Sequence, residues 1–191
     1  MFEENGLSIV VILTYVIFFF IMFLFALIPS VINAIGLARI CNKLGAFRPV
    51  WSWVWALVVP SVAVLRVGDM CAEREYPYSR KLFRYGIFAM IVFTVLATLT
   101  TLCSVVFALS SELVLHDILE TFSLIGTFVL FIPTMLAAIW MAVPLYISYF
   151  RIFKAYLPVW GAWLTLIGML LLSQLSFLIL PVLSFLPMRD D

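Results

Sequence analysis

Long stretches of this sequence contain no Asp, Glu, Lys or Arg, and they restrict the fold more than any other feature. Four apolar runs within them lie at about residues 7–28, 85–109, 121–150 and 160–186. A helix needs about 20 mostly apolar residues to cross the hydrocarbon core of a bilayer. Each run is long enough. The sequence therefore predicts an all-α fold, a polytopic transmembrane helical bundle with four spans.

The composition agrees with a membrane protein. Of the 191 residues, 66% are hydrophobic and 11% are charged, and the mean hydropathy is +1.23. Soluble domains are about one quarter charged, because charged side chains cover their water-facing surface. This difference argues against a soluble globular enzyme, a disordered chain and a disulfide-stabilised scaffold. We expect a single integral membrane domain over residues 1–191, without an internal repeat or a second, soluble domain.

The first apolar run is predicted to be a retained helix. The residues before it are acidic, whereas a secretory signal begins with basic residues and has a shorter apolar segment. An amphipathic pattern continues from Val31 to Leu44, and Gly45 is a natural helix end. One straight helix over residues 7–44 would be about 55 Å long, against a hydrocarbon core of about 30 Å. We therefore expect a kink near Pro29.

Residues 50–65 form a shorter apolar segment that we expect to be re-entrant or to lie at the membrane interface. Lys and Arg concentrate on the inner side of a membrane. If the segment does not cross, ten of the eleven Lys and Arg residues lie inside and Arg189 alone lies outside; if it crosses, the split falls to seven against four. The predicted location is therefore the cell membrane, with both termini on the outer side. A short, kinked fifth span is the alternative.

Residue types that carry out catalysis or bind metals are scarce. The predicted spans contain no charged residue, the single histidine is His116 in a predicted outer loop, and the three cysteines, Cys41, Cys71 and Cys103, lack a CxxC spacing. Metal sites and nucleophilic catalysis usually need histidines or acid–base partners close together. We therefore expect no enzymatic activity, no metal and no cofactor.

Uncharged polar residues are predicted near the membrane midplane. Thr98, Thr101, Thr134 and Gln174 fall near the middle of their spans, and such side chains form hydrogen bonds between helices. They either line a polar pocket or pore, or simply join helices. The second predicted span also has a stripe of small residues that would allow close helix packing, formed by Thr94, Ala97, Thr98, Thr101, Ser104 and Ala108.

The predicted inner loop between the short apolar segment and the second span carries charges of both signs. These residues provide a docking surface for a protein partner or for anionic headgroups, or they only orient the protein in the membrane. No extended basic face indicates nucleic-acid binding. The candidate docking residues are Asp69, Glu73, Arg74, Arg80, Lys81 and Arg84.

A series of short motifs runs along residues 34–82. A basic amphipathic stretch ends in glycine, a tryptophan-rich apolar segment with a proline follows, and then come a leucine, an aspartate and a basic loop. The residues are Ala38-Arg39, Lys43-Leu44-Gly45, Pro49, Trp51-Ser52-Trp53, Pro60, Leu65, Asp69 and Arg80-Lys81. In this order they resemble an uncharacterised family of small polytopic membrane proteins that is common in clostridial and related bacteria. The resemblance implies a membrane protein and no established activity.

Two functions agree with these features. The first is a non-enzymatic scaffold or accessory subunit of a larger complex, which the small-residue stripe and the mixed-charge loop favour. Its partners would be the lipid bilayer and a protein partner or a second copy of the chain. The alternative is a passive or gated transport component for small solutes. Pro133 and Pro144 favour transport, because prolines break the helices that line many transport sites.

Overall fold

A computed structural model describes residues 2–75, 81–110, 116–171 and 176–188. Over these residues the chain is almost entirely α-helical and contains no strand, so the predicted all-α class is confirmed. The helices are α1 (Phe2–Leu44), α2 (Pro49–Val58), α3 (Pro60–Glu75), α4 (Lys81–Ser110), α5 (His116–Tyr156), α6 (Val159–Leu171) and α7 (Ser176–Phe185).

Three helices are long and apolar enough to cross a membrane. The segments are Leu13–Leu44 in α1, Leu82–Val106 in α4 and Thr121–Tyr156 in α5. They correspond to the first three predicted spans. The fourth, residues 160–186, falls on α6 and α7, which have 13 and 10 residues, while residues 172–175 lie outside the described part of the chain. Four spans are therefore not confirmed.

Helix α1 passes through Pro29 without ending and continues to Leu44. Helix α5 likewise contains Pro133 and Pro144. Proline removes one backbone hydrogen bond, yet apolar helices in a membrane tolerate it when neighbouring groups satisfy the freed carbonyl. The predicted stop after Leu44 is confirmed, because Gly45 has φ +67°, a left-handed conformation that favours glycine.

The short apolar segment and the charged stretch after it fold into two helices. Helix α2 ends at Val58, Val59 breaks the helical backbone with φ −137° and ψ 74°, and α3 begins at Pro60, where a proline fits the first turn. Helix α3 then continues to Glu75. The predicted inner loop is therefore wrong over residues 66–75, which are helical.

The helices form two compact units, Met1–Ala63 with Ile167–Asp191, and Val64–Leu166. We call them unit 1 and unit 2. In unit 1, α1 packs against α2 and α7. A Cβ atom added at Gly36 would lie 2.3 Å from the backbone nitrogen of Pro181, so only glycine allows α1 and α7 to approach this closely.

The end of α1 contacts the end of α7. Lys43 Nζ donates hydrogen bonds to the carbonyl oxygens of Ser184, at 2.5 Å, and Leu186, at 3.1 Å, and the Arg39 guanidinium lies 4.6 Å from the centre of the Phe185 ring. A helix C-terminus attracts a lysine because its last carbonyls lack helical partners. Lys43 and Leu186 therefore lie at the same end of unit 1.

Unit 2 contains α4, α5, most of α3 and the start of α6. Helices α4 and α5 are antiparallel, as two contacts at separate levels show. Phe88 and Trp140 form an edge-to-face pair with ring centres 5.7 Å apart. Further along, the Thr100 and Thr134 hydroxyls are 2.9 Å apart.

Candidate functional site

The most unusual side chain in unit 2 is Asp69, a carboxylate with no exposed surface. It lies on α3 among apolar neighbours such as Leu65 and Val67, which are also fully buried. Moving a charged group out of water is costly unless hydrogen bonds and an opposite charge compensate for it. The contacts of Asp69 provide both.

Asp69 joins α3 to the two long helices of unit 2. Arg151 Nη1 of α5 donates to its Oδ1 atom at 3.1 Å, and the backbone N–H of Phe83 in α4 donates to its Oδ2 atom at 2.9 Å. Phe83 lies in the first turn of α4, where backbone N–H groups lack helical partners and attract negative charge. Asp69 therefore accepts a hydrogen bond from an unpaired amide at the start of α4 and also neutralises the charge of Arg151.

Close backbone approach allows α3 to reach both partners. A Cβ atom added at Gly68 would lie 2.5 Å from Ser148 Cβ on α5, and one added at Gly86 of α4 would lie 2.6 Å from a methyl of Leu65. A larger residue at Gly68 would collide with the backbone at Ser148 and push α3 and α5 apart, whereas one at Gly86 would displace the flexible end of the Leu65 side chain. Gly68 thus allows the carboxylate to come within hydrogen-bonding distance of Arg151.

The candidate docking residues do not form one exposed loop. Asp69 is buried and bonded, so its assignment to a docking surface is wrong. Glu73 and Arg74 belong to α3 and Lys81 begins α4, although their side chains lie outside the described part of the chain, as does all of Arg80. Arg84 is exposed on α4. Arg66 stacks on the Phe83 ring at 5.9 Å, beside the Asp69 site.

The predicted midplane cluster is only partly formed. Thr134 contacts α4, but its partner is Thr100, and the predicted Thr98 and Thr101 are exposed on another face of α4. Gln174 lies outside the described residues. The cluster prediction is therefore wrong for the α4 residues, because Thr98 and Thr100 are about 200° apart around a helix.

Thr100 has a recognisable sequence signal. On α4, two pairs of small or polarisable residues spaced three apart, Gly86 with Ala89 and Thr100 with Cys103, lie on the face turned toward the other helices of unit 2. A Cβ atom added at Gly126 of α5 would lie 3.3 Å from the Cys103 sulfur. This face, and not the Thr98 face, contacts α5.

Four residues of the predicted small-residue stripe, Thr94, Ala97, Thr98 and Thr101, line an exposed groove on α4. The groove has a volume of about 340 Å³. Its hydroxyl groups bond within the helix, from Thr98 to the Thr94 carbonyl at 2.7 Å and from Thr101 to the Ala97 carbonyl at 2.8 Å. An apolar surface can therefore cover the groove without leaving these donors unpaired. Its lining residues are Phe93, Thr94, Ala97, Thr98, Thr101 and Leu102.

No protein-family profile, curated protein or solved structure matches the chain. The resemblance of residues 34–82 to a clostridial membrane-protein family stays a prediction. Within the described ranges, no three His, Cys, Asp or Glu side chains come together in a way that could bind a metal ion. At the Asp69 site, the carboxylate on α3 bonds to the Arg151 side chain on α5 and to the Phe83 amide on α4. This arrangement is suited to holding the three helices together.

Proposed function

We propose that this protein is a non-enzymatic integral membrane protein that acts as a scaffold or accessory subunit, and that the α4 groove receives a transmembrane helix of a partner subunit. The groove carries the proposal. It combines small residues, Ala97 and three threonines, with hydroxyls already bonded inside the helix. Small residues let helix backbones approach closely in lipid, where packing drives association.

A transmembrane helix suits the groove better than a soluble ligand. The groove is open along one side of α4, and its lining residues Phe93 and Leu102 are apolar. A helix laid along it would gain van der Waals contacts without desolvating a charge. The experiment must distinguish a helix of a different subunit from a helix of a second copy of this chain.

Filling the groove should separate the complex. The variant Ala97→Leu places a larger side chain at its centre, and Val95→Leu, on the same helix but outside the groove, is the matched control. Tagged protein is purified in a mild detergent from its native membrane. We expect a stoichiometric partner with the wild type and Val95→Leu, and its loss with Ala97→Leu. Isolation of the wild type as a lone monomer would contradict the proposal. A homodimer would show that a second copy of this chain, and not a different subunit, occupies the groove.

Transport is the second candidate, and the prolines of α5 still favour it. Against it, Thr134 bonds to Thr100 and to the Leu130 carbonyl, which leaves this hydroxyl engaged in joining helices. Liposomes that contain only this chain test the alternative. We expect these liposomes to leak solute no faster than liposomes without protein. A solute flux that increases with the amount of protein would favour transport.

The proposed location is the cell membrane. Lys and Arg residues near the C-terminal ends of α1 and α5 and around the start of α4 belong on the inner side by the positive-inside rule. The start of α1 then faces outside. On the inner side, the segment from Arg74 to Arg84 is the proposed contact for a protein partner or for anionic headgroups.

A further inference from the structure

We infer that α6 and α7 form a re-entrant hairpin, so that the chain crosses the membrane three times and its C-terminal end lies on the same side as its basic segments. Helix α7 runs parallel to α1 within unit 1. Gly36 meets Pro181, and further along both helices Arg39 meets Phe185 and Lys43 reaches the last carbonyls of α7. Helix α7 therefore ends at the membrane surface where α1 ends.

Helix α6 starts where α5 ends. Only Leu157 and Pro158 separate them, and the amide of Leu157 still bonds to the Phe153 carbonyl at 2.8 Å. The rings of Phe150 on α5 and Trp163 on α6 are 4.6 Å apart, so α6 turns back along α5. Helix α6 therefore leaves the membrane surface at which α5 ends.

The ends of α1 and α5 carry the same sequence pattern. An Arg-Ile pair, a lysine and a Pro-Val-Trp triplet occur in this order at 39–51 and again at 151–160. Burial follows the same pattern, since Ile40, Cys41, Ile152 and Phe153 have no exposed surface. The expectation that the chain has no internal repeat is therefore wrong. The arginine-to-proline spacing differs by three residues between the copies, which obscures the match.

The repeated basic segments place both helix ends on one side of the membrane by the positive-inside rule. The chain from Pro158 to Phe185 then begins and ends at the same surface. The segment therefore enters the membrane and returns to the surface from which it started.

Helices α2 and α3 are the matching hairpin of the first copy. The backbone breaks between them at Val59, and α3 runs parallel to α5, with Gly68 against Ser148 and then Asp69 bonded to Arg151. Gly36 and Ser148 both stand three residues before the arginine of their copy, and each contacts a returning helix. Helix α3, which follows the first Pro-Val-Trp triplet, belongs mostly to unit 2. Helix α7, which follows the second triplet, belongs to unit 1.

The charges support this topology better than four spans do. With three spans and two hairpins, all eleven Lys and Arg residues lie on one side, together with five acidic residues. The other side carries five acidic residues and no basic residue. The inner side then has a net charge of +6 and the outer side −5. Arg189, which four spans would place alone on the outer side, also lies on the inner side.

Cysteine labelling of the full-length chain tests the topology. Each variant carries one cysteine, at Leu186→Cys, Arg48→Cys or Glu112→Cys, with the native cysteines changed to alanine. A membrane-impermeant maleimide is applied to intact cells and to inverted vesicles. We expect Leu186→Cys to react in the same preparation as the inner reference, Arg48→Cys, and Glu112→Cys to react in the other. Reaction of Leu186→Cys together with Glu112→Cys would overturn the inference.

A fusion to the unmodified chain repeats the test without changing a cysteine. Green fluorescent protein attached after Asp191 should fluoresce, because it folds on the inner side of a bacterial membrane, and alkaline phosphatase at the same place should be inactive. Active phosphatase with non-fluorescent fusions would place the C-terminal end outside and restore four spans. The result does not depend on whether the α4 groove binds a partner.

Discussion

Breaking the ion pair between Asp69 and Arg151 should destabilise the protein by an amount that depends on which partner is removed. The Asp69 side chain is fully buried, whereas 27% of the Arg151 side chain is exposed. Arg151→Met leaves a buried carboxylate without its counter-charge, a loss of about 3–5 kcal/mol. Asp69→Asn keeps an acceptor for the amide of Phe83 and leaves a guanidinium that can reach water. We therefore expect a smaller loss, about 2 kcal/mol.

A double-mutant cycle separates the ion pair from the other effects of each change. The variant Asp69→Asn/Arg151→Met has no charge at either position, so no charge is left uncompensated. Its loss of stability should be smaller than the sum of the two single losses by about 2 kcal/mol or more. Arg84→Gln changes an exposed charge on α4 and serves as the control, with an expected effect within about 0.5 kcal/mol.

Unfolding of the purified, full-length chain measures these energies. The protein is held in mixed micelles and titrated with sodium dodecyl sulfate, while the fluorescence of its six tryptophans reports the loss of packing. Two results would refute the reasoning: single losses that add within about 0.5 kcal/mol, or a larger loss for Asp69→Asn than for Arg151→Met. Either would mean that the burial of Asp69 does not control the energy of the pair.

The same unfolding assay checks three other contacts. Gly36→Ala should cost about 1–3 kcal/mol because the added methyl collides with the α7 backbone, whereas Gly168→Ala, which meets no atom within 4 Å, should not destabilise. Thr100→Val should cost about 0.6 kcal/mol, the typical value of a hydrogen bond between membrane helices, and Thr98→Val less, because its hydroxyl bonds only within α4. Lys43→Ala should cost about 1 kcal/mol, since two carbonyls at the end of α7 lose their donor. Equal effects within the glycine pair or within the threonine pair, or an unchanged Lys43→Ala variant, would contradict these assignments.

The helical class and the three helices long and apolar enough to cross a membrane were predictable because they depend on local composition. An uncharged apolar run of sufficient length needs only the bilayer to become a helix. The stop at Gly45 was predictable for a similar reason, because glycine readily adopts a left-handed helix end. The break at Pro60 also follows from local chemistry, although the continuation of α3 to Glu75 through charged residues does not.

The Asp69 site was not predictable from the sequence. In a segment of mixed charges, an aspartate is usually solvated, and its partner Arg151 is 82 residues further along the chain. Only the close approach of α3 to α5 at Gly68 brings the two together. The midplane prediction was wrong for a related reason. Several faces of α4 carry threonines, and helix packing decides which face meets α5.

The sequence by itself determined that this protein is helical and has runs long and apolar enough to cross a membrane, because apolar length and the scarcity of charge act residue by residue. It also predicts which side of the membrane is basic, because Lys and Arg cluster at the ends of particular runs. Only the tertiary structure decided that Asp69 is a buried contact, that Thr100 faces Thr134, and that α7 ends beside Lys43. Each depends on the direction and rotation of one helix against another. Contacts between distant residues set those relations, and no local pattern records them.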